Sequence, residues 1–333
     1  MKQQRRRIDM LSIGVDVGGT NITAGLVNEE NQIIGRAEAK IKIPCAPREL
    51  NSQILDVIKS AMSDGYATWK EIDFVGIGIP GAVDSEAGVV HFSSNLFMED
   101  YKIKEMLSKI IDCPIYIEND ANAAAYGELV CGSLQNCRNA LALTLGTGIG
   151  CGIIIDGKLY SGGNSAAGEI GHMTLERGGR LCNCGRNGCW ERYASATGLI
   201  QTTREYLIEH PDLNAQILSM VNGNINNIEG KTAFEAKRLG YHLAAEIVDI
   251  YIRDLACGLI NVINLLDPDT VCIGGGVAGA GPDLLVPLQD YVYHEIYNRN
   301  YKHTEIVLAT LGNDAGIIGA ANLGRTLPEN TEE

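Results

Sequence analysis

Within eighteen residues, from His172 to Cys189, the chain carries one histidine and three cysteines, Cys182, Cys184 and Cys189, with carboxylates at Glu169 and Glu191 on either side. Few folded arrangements satisfy four such groups at once. One imidazole and three thiolates complete a tetrahedral zinc shell with no open position, so the expected metal is structural and the chemistry belongs beside it. Gly185 and Gly188 stand between the last two cysteines, where the chain must turn tightly around an ion. The Cys-x2-Cys pairs of treble-clef and ribbon modules are missing, which disfavours a nucleic-acid finger. The alternative is four unrelated buried or surface residues, but a Cys-x-Cys-x4-Cys run below a histidine rarely arises by chance.

A second segment, Ile117 to Glu128, reads IENDANAAAYGE. The residues before it, Cys113 to Ile117, predict a short strand, and the alanine-rich stretch from Ala121 to Val130 predicts a helix. Asp120 therefore falls at a strand-to-helix junction, where either it or Asn119 could cap the helix. Capping needs only one such residue. Glu118, Asn119, Asp120 and Asn122 together form a polar cluster at the C-terminal end of a strand, the usual place for ligands in open α/β sheets. Cap and functional group both remain open for Asp120 on this segment alone.

Three glycine-rich turns accompany it. Asp16-Val17-Gly18-Gly19-Thr20-Asn21 lies between two apolar runs, as a hairpin whose backbone amides and Thr20 can meet an anion. Leu145-Gly146-Thr147-Gly148-Ile149-Gly150 repeats that design after a strand from Ala140, and Gly274-Gly275-Gly276 follows the apolar run Thr270 to Ile273, ahead of a helix beginning near Pro282. Each turn alone fits an ordinary glycine hairpin. Their order, with the carboxylate junction between the first two, is harder to explain that way.

Two other glycine runs lead elsewhere. Gly76-Ile77-Gly78-Ile79-Pro80-Gly81 has dinucleotide-fingerprint spacing, but Pro80 removes a donor and Ala82, Val83 and Asp84 open no helix. Gly152 to Leu159 nearly spells a P-loop, yet Leu159 stands where a Ser or Thr would bind Mg²⁺, and Asp156-Gly157 is a hairpin turn.

The 333 residues suffice for two domains with sizeable cores, and the net charge of −14 argues against nonspecific binding to nucleic acid or anionic membranes. Asp9 and Asp16 interrupt any secretory apolar core after Arg5-Arg6-Arg7, and no apolar run approaches the ~20 residues of a membrane span. A cytoplasmic protein is expected, with Cys45, Cys113, Cys131, Cys137, Cys151, Cys257 and Cys272 reduced and mostly buried.

Periodicity predicts strands near 10–17, 21–27, 33–41, 73–79 and 114–118 with a helix near 50–64, then a second set with strands near 139–145, 150–155, 158–161, 270–274 and 305–309 and helices near 195–209, 241–266 and 282–296. Each set opens with a glycine-looped hairpin. Two related domains facing each other across a cleft are the expectation.

Taken together, these residues resemble the ROK family of sugar kinases and repressors, within the actin/hexokinase/Hsp70 superfamily. The resemblance runs through nearly the whole chain and is most specific from Gly168-Glu169-Ile170-Gly171-His172 through Cys182-Asn183-Cys184-Gly185-Arg186-Asn187-Gly188-Cys189-Trp190-Glu191. It implies an α/β fold of two related actin-like ATPase (ribonuclease H-like) domains around a central cleft. The smaller N-terminal domain would span 1–118 plus 312–333, and the larger one, with the zinc site, 119–311.

It further implies that Asp120 takes the proton from a sugar's primary hydroxyl as that hydroxyl attacks the γ-phosphate of ATP, and that Asn119, Glu169, His172 and Glu191 bind sugar hydroxyls. Gly18, Gly19, Thr20, Gly146, Thr147 and Gly148 would cradle the phosphates, Gly274, Gly275 and Gly276 the adenosine, and Asp16 would hold Mg²⁺. His172 would bind the structural zinc through one ring nitrogen, with Cys182, Cys184 and Cys189, and turn the other to sugar. A repressor of this family carries a DNA-binding head, whereas fifteen residues precede Asp16 here, so no nucleic-acid or membrane partner is expected. The expectation is a glucose kinase that forms a homodimer or higher homo-oligomer. N-acetylglucosamine, N-acetylmannosamine and fructose are the other acceptors considered, and a sugar-sensing protein without catalysis is a further alternative.

Overall fold

The computed structural model describes residues 10–42, 46–93, 96–300 and 303–325, so expectations placed on residues 1–9 and on Cys45 lie outside the described residues. The chain separates into two compact units. One comprises the described residues up to Asn136, Lys158–Ala167 and the residues from Leu311 on; the other comprises Cys137–Gly157 and Gly168–Thr310.

The first unit is built on β1 (Leu11–Val17), β2 (Asn21–Val27), β3 (Ile33–Lys40), α1 (Pro47–Asp64) and β4 (Ile72–Ile79). A small sheet of β5 (Ala82–Asp84), β6 (Val89–Ser93) and β7 (Met98–Tyr101) follows, then α2 (Ile103–Leu107), β8 (Ile115–Asn119) and α3 (Asp120–Cys131). The main sheet has the order β3-β2-β1-β4-β8. β1 pairs antiparallel with β2 and parallel with β4, and β4 pairs parallel with β8. Covered on both faces, β4 reads as a nearly unbroken apolar run, IDFVGIGI; β3, at the edge, alternates. α1 begins at Pro47, where a missing N–H costs nothing, and Leu50, Ile54, Val57, Ile58 and Ala61 form its buried stripe over the sheet.

The second unit repeats the plan with β9 (Ala140–Leu145) and β10 (Ile149–Ile155); the chain passes through the two-residue β11 (Lys158–Leu159), in the segment that belongs to the first unit, and the second unit resumes with α4 (Glu191–Ala194), α5 (Ala196–Glu209), α6 (Ala215–Met220), α7 (Thr232–Arg238), α8 (His242–Leu266), β12 (Thr270–Gly274), α9 (Pro282–Glu295) and β13 (Glu305–Leu308). The strands of its sheet lie in the order β10-β9-β12-β13. As in the first sheet, an antiparallel hairpin is extended by two parallel strands. The expected relationship between the two halves is therefore visible strand by strand. Among the described residues, no helix is long and apolar enough to cross a membrane.

The chain then returns to the first unit as α10 (Ala315–Ala320). All six residues, AGIIGA, are buried, so the helix shows no amphipathic pattern and periodicity did not reveal it. Glycine makes room for it, because a Cβ at Gly14 would collide with the Ile317 carbonyl, one at Gly76 with Ala320 and one at Gly127 with Ala315. This packing of α3 on α10 keeps α3 in the first unit, which extends to Asn136 where the sequence placed a boundary at 118.

The glycine runs set aside in the sequence are sheet. Gly76–Gly81 leads from β4 into β5, and Gly152–Leu159 lies within the β10–β11 hairpin. The described cysteines form no disulfide, and the expectation that they are mostly buried needs correction: Cys151 and Cys272 are buried, Cys113, Cys131 and Cys137 are half-buried, and Cys257 is exposed. Cys257 lies on the outer face of α8, a helix whose high apolar content masks which positions meet solvent.

Candidate functional site

In the first unit the sheet gathers the polar residues at the carboxyl ends of β1, β4 and β8. Asp16 pairs with Gly78, Gly78 with Glu118 and Ile79 with Asn119. Gly78 matters here, since a Cβ would lie 3.1 Å from the Ala123 Cβ and 3.4 Å from the Asp120 Cα; its absence lets α3 start close against β4. The sequence reading missed that role because it treated this glycine only as part of a failed fingerprint.

Asn119 is the N-cap of α3. Its side chain accepts from the Asn122 amide at 3.1 Å and donates to the Gly81 carbonyl at 3.0 Å. Asp120 is thus the first helical residue, half-buried, with Oδ1 accepting from the Ala121 amide at 2.9 Å. Beneath it, buried Glu118 accepts from Ser85 at 2.7 Å, from the Asn119 amide at 2.8 Å and from the Asn122 side chain at 2.9 Å. The Asn122 amide also reaches Ser161 at 3.3 Å. Glu118, Asn122, Ser85 and Ser161 form a supporting network that fixes the junction; Ser85 and Ser161 carry no local sequence signal and become visible only through the fold.

Asp16 stands at the end of β1, above a Gly316 whose absent Cβ would lie 2.8 Å from its carboxylate. Burial pushes its carboxyl up from the ordinary 3.8 to about 6. A divalent cation at that carboxylate would reverse the penalty, because it stabilises the ionised form. The hard oxygen donor fits Mg²⁺ chemically.

In the second unit the glycine turns adjoin one another. A Cβ on Gly275, whose φ is +83°, would come within 2.6 Å of the Leu145 backbone, so the turn after β12 is packed on the turn after β9. Gly146 and Gly276, and Gly19 in the first unit, are different: a Cβ on any of them would meet nothing within 4 Å, and none has a positive φ. Neither packing nor backbone conformation demands glycine at these three positions. Each of the three borders open space.

The segment with His172 and the three cysteines also lies in this unit. His172 closes a 3-10 turn, Ile170–His172, that packs on β10 because Gly171 has no side chain: a Cβ there would sit 2.7 Å from the Ile149 carbonyl. Gly185 and Gly188 adopt φ of +87° and +81°, giving the tight turn expected between the cysteines. The ligand atoms of His172, Cys182, Cys184 and Cys189 all lie within 4.8 Å of one another. The His172 Nδ1–Cys182 Sγ and Cys184 Sγ–Cys189 Sγ separations are both 3.6 Å. Zn–S bonds of about 2.3 Å and Zn–N bonds of about 2.0–2.1 Å imply tetrahedral edges of roughly 3.6–3.8 Å, so the four donors fit that ion. His172 turns Nδ1 to the cysteines, leaving Nε2 facing Glu169 at 3.8 Å. Trp190, directly after the last cysteine, is fully buried and donates to the Asp254 carbonyl of α8 at 2.9 Å, which anchors the loop to the unit's core.

Glu191 touches two of these features. Its Oε1 lies 4.0 Å from Cys182 Sγ, and its Oε2 accepts from the Ile149 amide at 3.0 Å. The carboxylate is therefore shared between the cysteine segment and the β9–β10 turn. Of the site residues expected from sequence, Asp16, Asn119 and Asp120 gather in the first unit, with Gly18, Gly19 and Thr20 in its β1–β2 turn; Glu169, His172, Glu191, the three cysteines and the other two glycine turns lie in the second.

Known proteins resemble this chain over nearly its whole length. A glucokinase of Streptomyces coelicolor is 37% identical over 95% of this chain and 98% of its own length, and a glucokinase of Thermotoga maritima is 35% identical over 93% of this chain and 96% of its own. The crystal structure of a ROK family glucokinase from Streptomyces griseus, in complex with glucose and AMPPNP, superposes with a TM-score of 0.83 at 35% identity, covering 94% of this chain and 98% of that one. The fold is thus that of the two-domain actin-like ATPases. Residues 12–326 match the model of the ROK family, to which this chain belongs.

Proposed function

We propose that this protein is an ATP-dependent glucokinase, transferring the γ-phosphoryl group of ATP to the 6-hydroxyl of glucose to give glucose 6-phosphate and ADP. The observation that carries the reading is the junction of β8 and α3, where Asn119 takes the cap and leaves Asp120 as a carboxylate at a sheet end. The similarity to glucokinases, one of them solved with glucose and AMPPNP, supports the choice of donor and acceptor.

Asp120 accepts the proton of the 6-hydroxyl while the hydroxyl oxygen forms its bond to the γ-phosphorus, and the bond to the β-γ bridging oxygen breaks in line to release ADP. Positioning contributes as much as basicity, which explains why Glu118 and Asn122 hold the junction so firmly. Asn119, Glu169 and Glu191 offer acceptors to the remaining hydroxyls and His172 a donor at Nε2–H, partners that a sugar lacking the matching hydroxyl would leave unpaired. Amides of the turns at Gly18–Thr20 and Gly146–Gly148 receive the phosphates, and Gly274–Gly276 the adenosine. Bound Mg²⁺, for which Asp16 is the candidate ligand, would neutralise charge on the phosphate oxygens.

His172, Cys182, Cys184 and Cys189 would hold a structural zinc, which would fix the imidazole with Nδ1 toward the cysteines and Nε2 toward Glu169. The protein acts in the cytoplasm as a homodimer or higher homo-oligomer. A panel of glucose, fructose, N-acetylglucosamine and N-acetylmannosamine with Mg-ATP, read by coupled ADP detection, tests the assignment. Glucose should give the highest kcat/KM, and absence of any sugar-dependent ADP release would refute it.

A further inference from the structure

The β9–β10 turn is held by the segment that directly follows the zinc loop. The turn closes on itself through the Gly146 amide, which donates to the Gly148 carbonyl at 3.0 Å. Outside the turn, three groups within seven consecutive residues hold it. The Ala196 amide donates to the Gly146 carbonyl at 2.9 Å, the Thr197 hydroxyl donates to the Thr147 carbonyl at 2.8 Å, and Glu191 Oε2 accepts from the Ile149 amide at 3.0 Å. A Cβ on Gly148 would collide with that same carboxylate oxygen, so Gly148 is the residue that lets Glu191 reach the turn.

Peptide planarity gives these contacts a direction. In a trans peptide the carbonyl and the following N–H point to opposite sides of the chain. Fixing the Gly146 and Thr147 carbonyls onto the start of α5 therefore turns the N–H groups of Thr147 and Gly148 to the opposite face. We infer that Thr197 is a positioning residue for phosphoryl transfer: by holding the Thr147 carbonyl it aims the Gly148 amide at the nucleotide phosphates. Ser195 fixes the geometry of this clamp by capping α5, its side chain accepting from the Gly198 amide at 3.1 Å.

The inference rests on the reading of Gly146–Gly148 as a phosphate turn, and the test separates the two. Thr197→Val keeps the shape of the side chain and removes only its hydroxyl. Losing one orienting hydrogen bond should lower kcat/KM for ATP by about five- to tenfold, with KM for glucose and zinc content unchanged. Thr197→Ser restores the donor and should recover most of the loss. Gly146→Ala places a methyl group in the open space beside the turn without a steric neighbour in the protein, so it should raise KM for ATP if phosphates occupy that space. A Thr197→Val enzyme with native ATP parameters beside an impaired Gly146→Ala overturns the clamp and leaves the phosphate turn standing. Native ATP parameters in both variants overturn the phosphate turn and the clamp together. A Thr197→Ser enzyme as impaired as Thr197→Val would show that bulk and not the hydroxyl matters, which also overturns it.

Discussion

Asn119 accepts the Asn122 amide at 3.1 Å, and with that bond the helix that begins at Asp120 has its cap. The neighbouring carboxylate is thereby relieved of a structural duty that the sequence could have assigned to either residue. Substitution should separate the two roles. Asp120→Asn is expected to lower turnover by about two to four decades while the melting temperature stays near that of the native protein. Asn119→Ala should destabilise the fold by about 1 kcal/mol, the usual cost of a lost cap, and raise KM for the sugar that Asn119 binds. Parallel steady-state kinetics and thermal unfolding check both, and near-native turnover in Asp120→Asn would place the base elsewhere.

The zinc cluster predicts a different pattern. Metal analysis should find one zinc per chain, and Cys184→Ser should lose it, with the melting temperature falling by at least about 5 °C. Sugar binding should weaken more than ATP binding, because His172 Nδ1 faces Cys182 and its ring orientation follows the metal. A metal-free native protein with full activity is the contrary result.

Asp16 makes stability depend on pH. Burial raises its folded-state pKa from 3.8 to about 6, so between those values the folded chain holds a proton that the unfolded chain has already released. Stability from this group is present below about pH 4 and is lost as pH rises through about 6, amounting to at most about 3 kcal/mol. Asp16→Asn should therefore unfold at higher urea than the native protein at pH 7.5, with the gap shrinking as pH falls and closing below about pH 4, even as activity is lost. Equal midpoints at pH 7.5 would show that the carboxylate carries no burial penalty.

Substrate choice gives a fourth test. Glu169, His172 and Glu191 include no Lys or Arg, so an acidic or phosphorylated sugar should bind poorly and a neutral hexose well. With saturating Mg-ATP, kcat/KM for glucose should exceed that for N-acetylmannosamine by at least about tenfold, or roughly 1.4 kcal/mol. Preference for the acetamido sugar would keep the kinase chemistry but end the glucokinase assignment.

Much of this was legible in the chain because the relevant signals are local. Strand hairpins announced themselves through glycine turns between apolar runs, and the cysteine spacing announced the clustering of His172 with the three cysteines, whose knuckle closes through the Cys182 amide donating to the Arg186 carbonyl at 2.8 Å. What escaped was non-local or patternless. The strands of the small sheet are three to five residues long and mix polar with apolar side chains, so no period could establish itself. α10 is buried on all sides. Thr197 and Ser161 act through partners at 50 and 39 residues' separation, which no local spacing encodes. Gly76 and Gly78 looked like a failed nucleotide motif, whereas their function is to admit α10 and α3 onto β4.

The most direct test of the central claim is the product itself. Incubation of the purified protein with glucose and Mg-ATP, followed by phosphorus NMR, should give one phosphomonoester at the 6-position of glucose for each ADP formed. Phosphate on another hydroxyl, or ADP release that does not depend on glucose, would contradict the account.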